Sequence, residues 1–212
     1  MKNAIIVGAG QNGQVYASYL IESGVNVIGY VDDAPSLQGK IFHNIPVIGV
    51  IKDLYLNKFK NKIQLVYCPI GVNSIRVNYL NLLKNEGYET PSFFHSSVSF
   101  GPNVSLGEAV YILSASVIMP HTTIGNHVMI SSNSTVCHNT TLEDGVFVSS
   151  GVTIGAGINI RKKAFLGIGS IIMTGVREIG RQSIIGAGTV IIKNVLEYET
   201  MIGNPGVTLL KK

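Results

Sequence analysis

From Val98 onward the chain repeats itself every six residues: Val98, Val104, Val110, Ser116, Thr122, Val128, Ser134, Thr140, Val146, Val152, Ile158, Ala164, Ser170 and Val176 share one phase. Two positions after most of them stands an aliphatic residue, from Leu106 through Ile112, Ile118, Ile124 and onward to Ile172. The phase then slips by one and resumes at Ser183, Thr189 and Val195. Ordinary strand alternation does not keep phase over such a distance. A parallel β-helix does, because each six makes one flat side and three sixes close one coil. Residues eighteen apart are then expected to stack, with the small residues at tight inner corners and the aliphatics filling the interior. Charged residues at 13%, twenty-four glycines, 8% aromatics and no tryptophan fit strands and turns better than long helices.

The first part of the chain has a different texture. Between Lys2 and about Glu89 it reads strand, glycine turn, helix, strand, as AIIVGAG, QVYASYLIESG and VNVIGYVDD. Ala4–Val7 is predicted as a buried parallel strand, and Val15, Tyr19 and Leu20 as the helix stripe before Gly24 ends the helix. IQLVYCPI adds a strand, and NSIRVNYLNLLKNEG a helix that stops at Gly87. The expected architecture is a small Rossmann-like α/β domain over residues 1–92, followed by the β-helix over residues 93–212. Gly8, Gly10 and Gly13 form G-x-G-x-x-G between a strand and a helix, which turns backbone N–H groups and a helix N-terminus toward an anion. Asp32 and Asp33 follow about twenty residues later, where a dinucleotide domain places its ribose-binding acid. Fewer than a hundred residues precede the repeats, too few for the full double half of an NAD enzyme.

The net charge of +4 suits phosphorylated small molecules, but no run of Lys and Arg interleaved with aromatics points to nucleic acid. Cys68 and Cys137 lie far apart without C-x-x-C spacing, which suggests a reducing, cytoplasmic setting. The apolar start is too short for a signal peptide, no stretch approaches the ~20 apolar residues of a membrane span, and no metal site is expected.

VGAGQNG, GYVDD, PIGVNSIR, the hexapeptide array, VCHNT and IGNPG together resemble the hexapeptide-repeat, left-handed β-helix acyltransferases. More narrowly, the chain resembles bacterial sugar acetyltransferases with an N-terminal nucleotide-sugar-binding domain: the nucleotide-4-amino-sugar N-acetyltransferases and the sialic acid O-acetyltransferase group. The resemblance covers nearly the whole chain. It implies a left-handed coil, a homotrimer, acetyl-CoA between neighbouring β-helices, and N-acetylation of a nucleotide-linked amino sugar for surface glycans. Sugar O-acetylation and a catalytically impaired nucleotide-binding relative are the alternatives.

The resemblance also assigns residues. Gly8, Gly10, Gln11, Asn12, Gly13, Asp32, Asp33, Gly71, Asn73 and Arg76 correspond to the nucleotide-sugar site, with Arg76 a phosphate partner. Phe147, Gly155, Ala156, Gly167, Ile168, Gly186, Lys193, Asn204 and Pro205 correspond to the acetyl-CoA site. VCHNT aligns His138 with the family's general base, beside Asn139. The residue type suits the chemistry, since imidazole titrates near working pH and a backbone N–H must meet the oxygen that gains charge. Stacking by eighteen puts Ala156 one coil above His138, so the Gly155–Gly157 corner can supply that amide. Three positions depart from the family: Asn12 replaces a histidine, Asn139 an acid, and Phe147 a second histidine. Of the other histidines, His43 sits in a loop and His95 at the domain junction in structural roles, while His121 and His127 are read as solvated repeat corners. Cys137 lacks the third group that would orient a Cys/His pair. Lys162 and Lys163 are either further phosphate partners or surface charge.

Overall fold

The computed structural model describes residues 2–56 and 58–209. The chain divides into two compact units, Met1–Pro91 and Ser92–Lys212.

The first unit is a five-stranded sheet flanked by helices. Strands β1 (Asn3–Val7), β2 (Asn26–Val31), β3 (Ile41–Phe42), β4 (Ile45–Gly49) and β5 (Leu65–Tyr67) are ordered β3-β4-β2-β1-β5. All pairs are parallel except β3 with β4. Ala4 to Val7 are wholly buried, as expected of a strand covered on both faces. Helix α1 (Gln11–Glu22) buries Gly13, Tyr16, Ala17 and Leu20, spaced i, i+3, i+4, i+7. This corrects the expected stripe, since Val15 is exposed and Tyr19 only half-buried. The stripe starts at Gly13, whose lack of side chain lets α1 lie against β1. Gly24 at φ +84 ends α1 and Gly87 at φ +81 follows α3 (Asn73–Asn85), each in the left-handed conformation that a helix stop favours. The short helix α2 (Lys52–Tyr55) follows β4. β5 lies on the side of β1 opposite β2, so the order of strand addition reverses at the carboxyl ends of β1 and β5. Open α/β sheets bind ligands at such a reversal.

The second unit is the left-handed β-helix. Two-residue strands recur every six residues and pair in parallel with strands eighteen away, as in Val117 with Thr135 and Thr135 with Thr153. They form three sheets, one per flat side. Coiling begins before Val98, because Phe93–Phe94 already pairs with Tyr111–Ile112. The phase slip is a single inserted residue: Asn159 pairs with Glu178, nineteen away, and the extra residue falls in the corner at Gly175. The interior is a column of aliphatics from Val110 to Met201, with the small residues Ser116, Thr122, Ser134, Thr140, Ser170, Ser183 and Thr189 wholly buried beside it.

The residue just before each small or branched one carries the turn. Asn103, Ala109, Ala115, His121, His127, Asn133, Asn139, Gly145, Gly151, Gly157, Lys163 and Gly169 all have φ between +49 and +71. Left-handed backbone costs an L-residue roughly 1–2 kcal/mol, and glycine and asparagine tolerate it best. Among the described residues no helix is long and apolar enough to cross a membrane.

Candidate active site

His138 stands on the β-helix edge between the sides built by Thr135–Val136 and Thr141–Leu142. Its backbone is held from two neighbouring coils: the Asn139 N–H donates to the Pro120 carbonyl at 3.2 Å and the His138 carbonyl accepts the Gly157 N–H at 3.0 Å. Thr140, buried next in line, donates its hydroxyl to the Gly155 carbonyl at 2.9 Å. A rigid corner therefore carries an exposed imidazole. Asn139 turns at φ +58, and its Oδ1 lies 2.8 Å from His138 Nδ1. An amide oxygen accepts but cannot donate, so Nδ1 carries the proton in the neutral ring and Nε2 is left as the basic nitrogen.

Directly above His138 lies Ala156. The flanking amides are committed, Gly155 N–H to the Ile172 carbonyl and Gly157 N–H to the His138 carbonyl. The Ala156 N–H is left without an acceptor among the described residues. At the equivalent corner position the N–H groups of Glu108, Asn126 and Lys162 are accepted by the side chains of Asn126, Asp144 and Glu143, whereas that of Ala156 is open and shares an edge with a histidine. A Cβ at Gly155 would come within 2.6 Å of the Thr174 nitrogen, whereas one at Gly157 would meet nothing within 4 Å. The edge is thus tight inside and open outside. Lys193 sits higher on the same edge, beyond the Val190–Ile191 strand that stacks on Ile171–Ile172.

The remaining expected donor residues lie elsewhere. Gly167, Ile168 and Gly186 form the next edge, and Asn204 and Pro205 continue it at the top, where Gly203 and Gly206 bracket Val190 by hydrogen bonds. The two edges bound one flat side, whose outward residues are Val117, Thr135, Thr153, Ile171 and Val190. Phe147 is on a different side, its ring 5.3 Å from that of Phe165. Within one chain it does not join His138. Lys162 and Lys163 occupy the third edge, where Lys162 pairs with Asp144 at 3.6 Å and Arg161 bridges Glu143 and Glu178.

Of the histidines besides His138, one reading changes and the others stand. His127 is 6% exposed, not a solvated corner. His121 is exposed and turns at φ +61 one coil beneath Asn139. His95 accepts the Ser97 N–H at Nδ1, a local turn. Burial pushes the Cys68 thiol up to about 12, far from any nucleophilic role. Among the described residues no group of three or more His, Cys, Asp or Glu is gathered about a common point.

In the first unit Gly8, Gly10, Gln11, Asn12, Gly13 and Gly71 line one cleft, together with Val7, Pro69 and Ile70. It lies where the strand order reverses between β1 and β5. Gly8 requires φ +94, and a Cβ at Gly13 would stand 2.0 Å from the Gly8 carbonyl oxygen, so the glycine pattern is first a packing requirement. Asn12 reaches across and donates from Nδ2 to the Pro69 carbonyl at 2.6 Å.

The other expected nucleotide residues do not line this cleft. Asp32 accepts the Ala9 and Ala34 N–H groups, each at 2.8 Å, and so ties β2 to the glycine turn. Asp33 is exposed and accepts the Ile51 N–H at 2.9 Å; it also holds Tyr79, whose hydroxyl is pushed up by burial and then by the Asp33 charge. Arg76, expected on a phosphate, is wholly buried behind the cleft wall with Asn73. Sequence reasoning does not single out Pro69 and Ile70 as lining residues, although PIG following a strand marks the second wall of the reversal. Nor does it single out the proline column. Pro120 and Pro102 stand eighteen and thirty-six residues before His138, so the corner position beneath His138 and Ala156 is one that proline occupies.

Residues 3–83 match the PglD N-terminal domain, and residues 103–138 and 121–156 match the bacterial transferase hexapeptide family of six repeats. Comparison with curated proteins gives no match. Among solved structures, PerB from Caulobacter crescentus, in complex with CoA and GDP-perosamine, is 25% identical with a TM-score of 0.90, over 99% of this chain and 98% of that one. The acetyltransferase domain of PglB from Neisseria gonorrhoeae, in complex with acetyl coenzyme A, is 24% identical with a TM-score of 0.89 over 98% and 99%. WeeI from Acinetobacter baumannii is 22% identical with a TM-score of 0.89 over 99% and 100%. The last two establish a shared fold.

Proposed function

We propose that this chain, which joins a PglD N-terminal domain to bacterial transferase hexapeptide repeats, transfers acetyl from acetyl-CoA to the amine of a nucleotide-linked amino sugar. The observation that carries the reading is the His138–Asn139 pair: an exposed imidazole whose Nδ1 is held at 2.8 Å by an amide oxygen, beneath the open amide of Ala156. Full-length similarity to PerB, which was captured with CoA and GDP-perosamine, supports it.

The β-helix fits an extended donor. Its edge is open at Gly157, and Gly169 and Gly188 are equally open on the neighbouring edge. When bound, acetyl-CoA supplies an activated acetyl carbon. His138 Nε2 takes the proton that the amine loses as its nitrogen bonds to that carbon and the carbon–sulfur bond breaks. Ala156 N–H donates to the acetyl oxygen as it gains charge. The His138 proton then passes to the departing sulfur, and the neutral ring returns.

The division of labour follows the two units, with residues 1–92 holding the nucleotide and residues 93–212 the donor. Gly155, Gly167, Ile168, Gly186, Lys193, Asn204, Pro205 and Phe147 lie on more than one side of a single β-helix, so a donor that meets all of them is shared between copies. We assign the chain to a homotrimer for that reason, acting in the cytoplasm on precursors of surface glycans.

The test is thiol release from acetyl-CoA with GDP-, UDP-, dTDP- and CMP-linked amino and hydroxy sugars, with products weighed by mass spectrometry. Turnover on an amino sugar is expected, and His138→Ala should lower it by roughly 10²–10⁴-fold while acetyl-CoA affinity stays within a few fold. The control is His43→Ala, an exposed loop histidine of the other unit, expected at wild-type rate. CoA binding without turnover on any sugar would remove the reading.

A further inference from the structure

Arg76 is the largest wholly buried side chain that carries a charge. A guanidinium stays protonated throughout the working range, and burying it is costly unless its N–H groups are accepted. Nη1 donates to the Ile70 carbonyl at 2.9 Å and Nη2 to Asn73 Oδ1 at 2.8 Å. Ile70 belongs to the turn between β5 and α3, and Asn73 is the first residue of α3. Ile70, with Pro69 and Gly71, is one wall of the cleft, and the glycine turn and first residues of α1 are the other. Asn12 ties the walls together through the Pro69 carbonyl at 2.6 Å. None of the nine residues lining the cleft has a charged side chain, and Arg76 is not among them.

We propose that Arg76 is a positioning residue for the nucleotide: from behind the Pro69–Asn73 turn it holds one wall of the cleft, Asn12 holds the same wall from the front, and the diphosphate meets backbone N–H groups instead of a cation. The proposal rests on the nucleotide-sugar reading above. Helix N-termini and glycine turns bind anions through N–H groups and need no side-chain charge. The carbonyl that Arg76 takes up is also one that would otherwise be free to point at, and repel, an anion.

Two consequences separate this from direct phosphate contact. A solvent-facing Arg–phosphate pair weakens as salt screens it, whereas fixed N–H groups and a buried cation are screened little. Lysine preserves a charge but lacks the planar fork that reaches two acceptors at fixed angles. Lysine therefore replaces a phosphate contact far better than it replaces a brace.

The experiment is calorimetric titration of the full chain with GDP, UDP, dTDP, CMP and acetyl-CoA at about 50 and about 500 mM KCl, conditions chosen to span strong and weak screening. It uses wild type, Asn12→Ala, Asn73→Ala and Arg76→Lys, with steady-state kinetics on the accepted sugar nucleotide. Wild-type nucleotide affinity should change by less than about 2-fold with salt, because the cation is buried. Asn12→Ala and Asn73→Ala should each weaken the nucleotide by roughly 10-fold, the effect of one lost hydrogen bond, and raise KM with kcat nearly unchanged. Arg76→Lys should do no better than Asn73→Ala, and acetyl-CoA affinity should be constant throughout. Should Arg76→Lys fail to fold, the two asparagine variants decide. Wild-type affinity falling by about 10-fold with salt, or Arg76→Lys binding as wild type, would restore the direct contact and overturn the proposal. Retained affinity in both asparagine variants overturns it while leaving the enzymatic reading intact. If wild type binds none of the four nucleotides, both fall.

Discussion

At the scale of residues, the environment of His138 makes two claims that substitutions can separate. Asn139 orients the ring without adding charge. Asn139→Asp keeps a short polar residue that accepts the left-handed turn but places a carboxylate beside Nδ1, and a carboxylate stabilises the imidazolium. The base is then protonated up to a higher pH, so the acidic limb of kcat/KM should move upward by about one unit. A pH–rate profile checks this, repeated in a His121→Ala background because His121 stands one coil below and would compete for the new charge. Coincident acidic limbs would show that residue 139 does not touch the catalytic ring. The second claim concerns Ala156. Pro120 and Pro102 occupy the same corner position two and three coils below it, so the backbone there suits proline, and Gly101–Pro102 already has the glycine–proline order that Ala156→Pro would create. The substitution removes one N–H and little else. It should reduce kcat by roughly 10²–10³-fold, the loss seen when one oxyanion donor goes, while the melting temperature moves by only a few degrees.

At the scale of elements, the glycine turn of the first unit shows how one motif serves packing and binding at different positions. Gly13→Ala would drive a Cβ to 2.0 Å from the Gly8 carbonyl oxygen and separate α1 from β1. It should destabilise the chain by about 1–3 kcal/mol, measured by denaturant melting. Gly10 has φ −67 and nothing within 4 Å of an added Cβ, so Gly10→Ala should fold normally and weaken only nucleotide binding, since Gly10 lines the cleft. Equal destabilisation by both would show that the motif is packing alone. Elements are also where sequence pattern and structure part. A stripe for α1 phased on large apolar residues passes over Gly13 and Ala17, which are buried because they are small. In the β-helix the inward positions are legible, being apolar or small every six. The turn positions beside them are not, because His, Ala, Lys, Asn and Gly share one backbone conformation without sharing any side-chain property.

For the whole molecule, the upper coils expose Ile168, Ile171, Met173 and Ile192, a concentration of apolar surface on the two edges that carry the donor residues and the side between them. Apolar surface gathered beside the donor residues is the mark of an interface. Sedimentation equilibrium at micromolar concentration should therefore give three chain masses, and Ile171→Asp should lower that mass and the acetylation rate together. A fully active single chain would remove the shared donor site from the proposal.

Periodicity specified the β-helix by itself, because each coil touches only its neighbours and a spacing of eighteen along the chain is one step in space. That is why the vertical relations of His138 to Ala156, and of Asn139 to His121, follow from residue spacing alone. The first unit has no such rule. Its cleft is assembled from two segments about sixty residues apart, and which polar groups face into it depends on hydrogen bonds that the spacing does not specify: Asn12 to Pro69, Asp32 to Ala9 and Arg76 to Ile70. The family resemblance assigns Arg76 to a phosphate. Only the tertiary structure shows its guanidinium already engaged behind the wall, because burial is a property of what packs around a residue and not of its place in the chain.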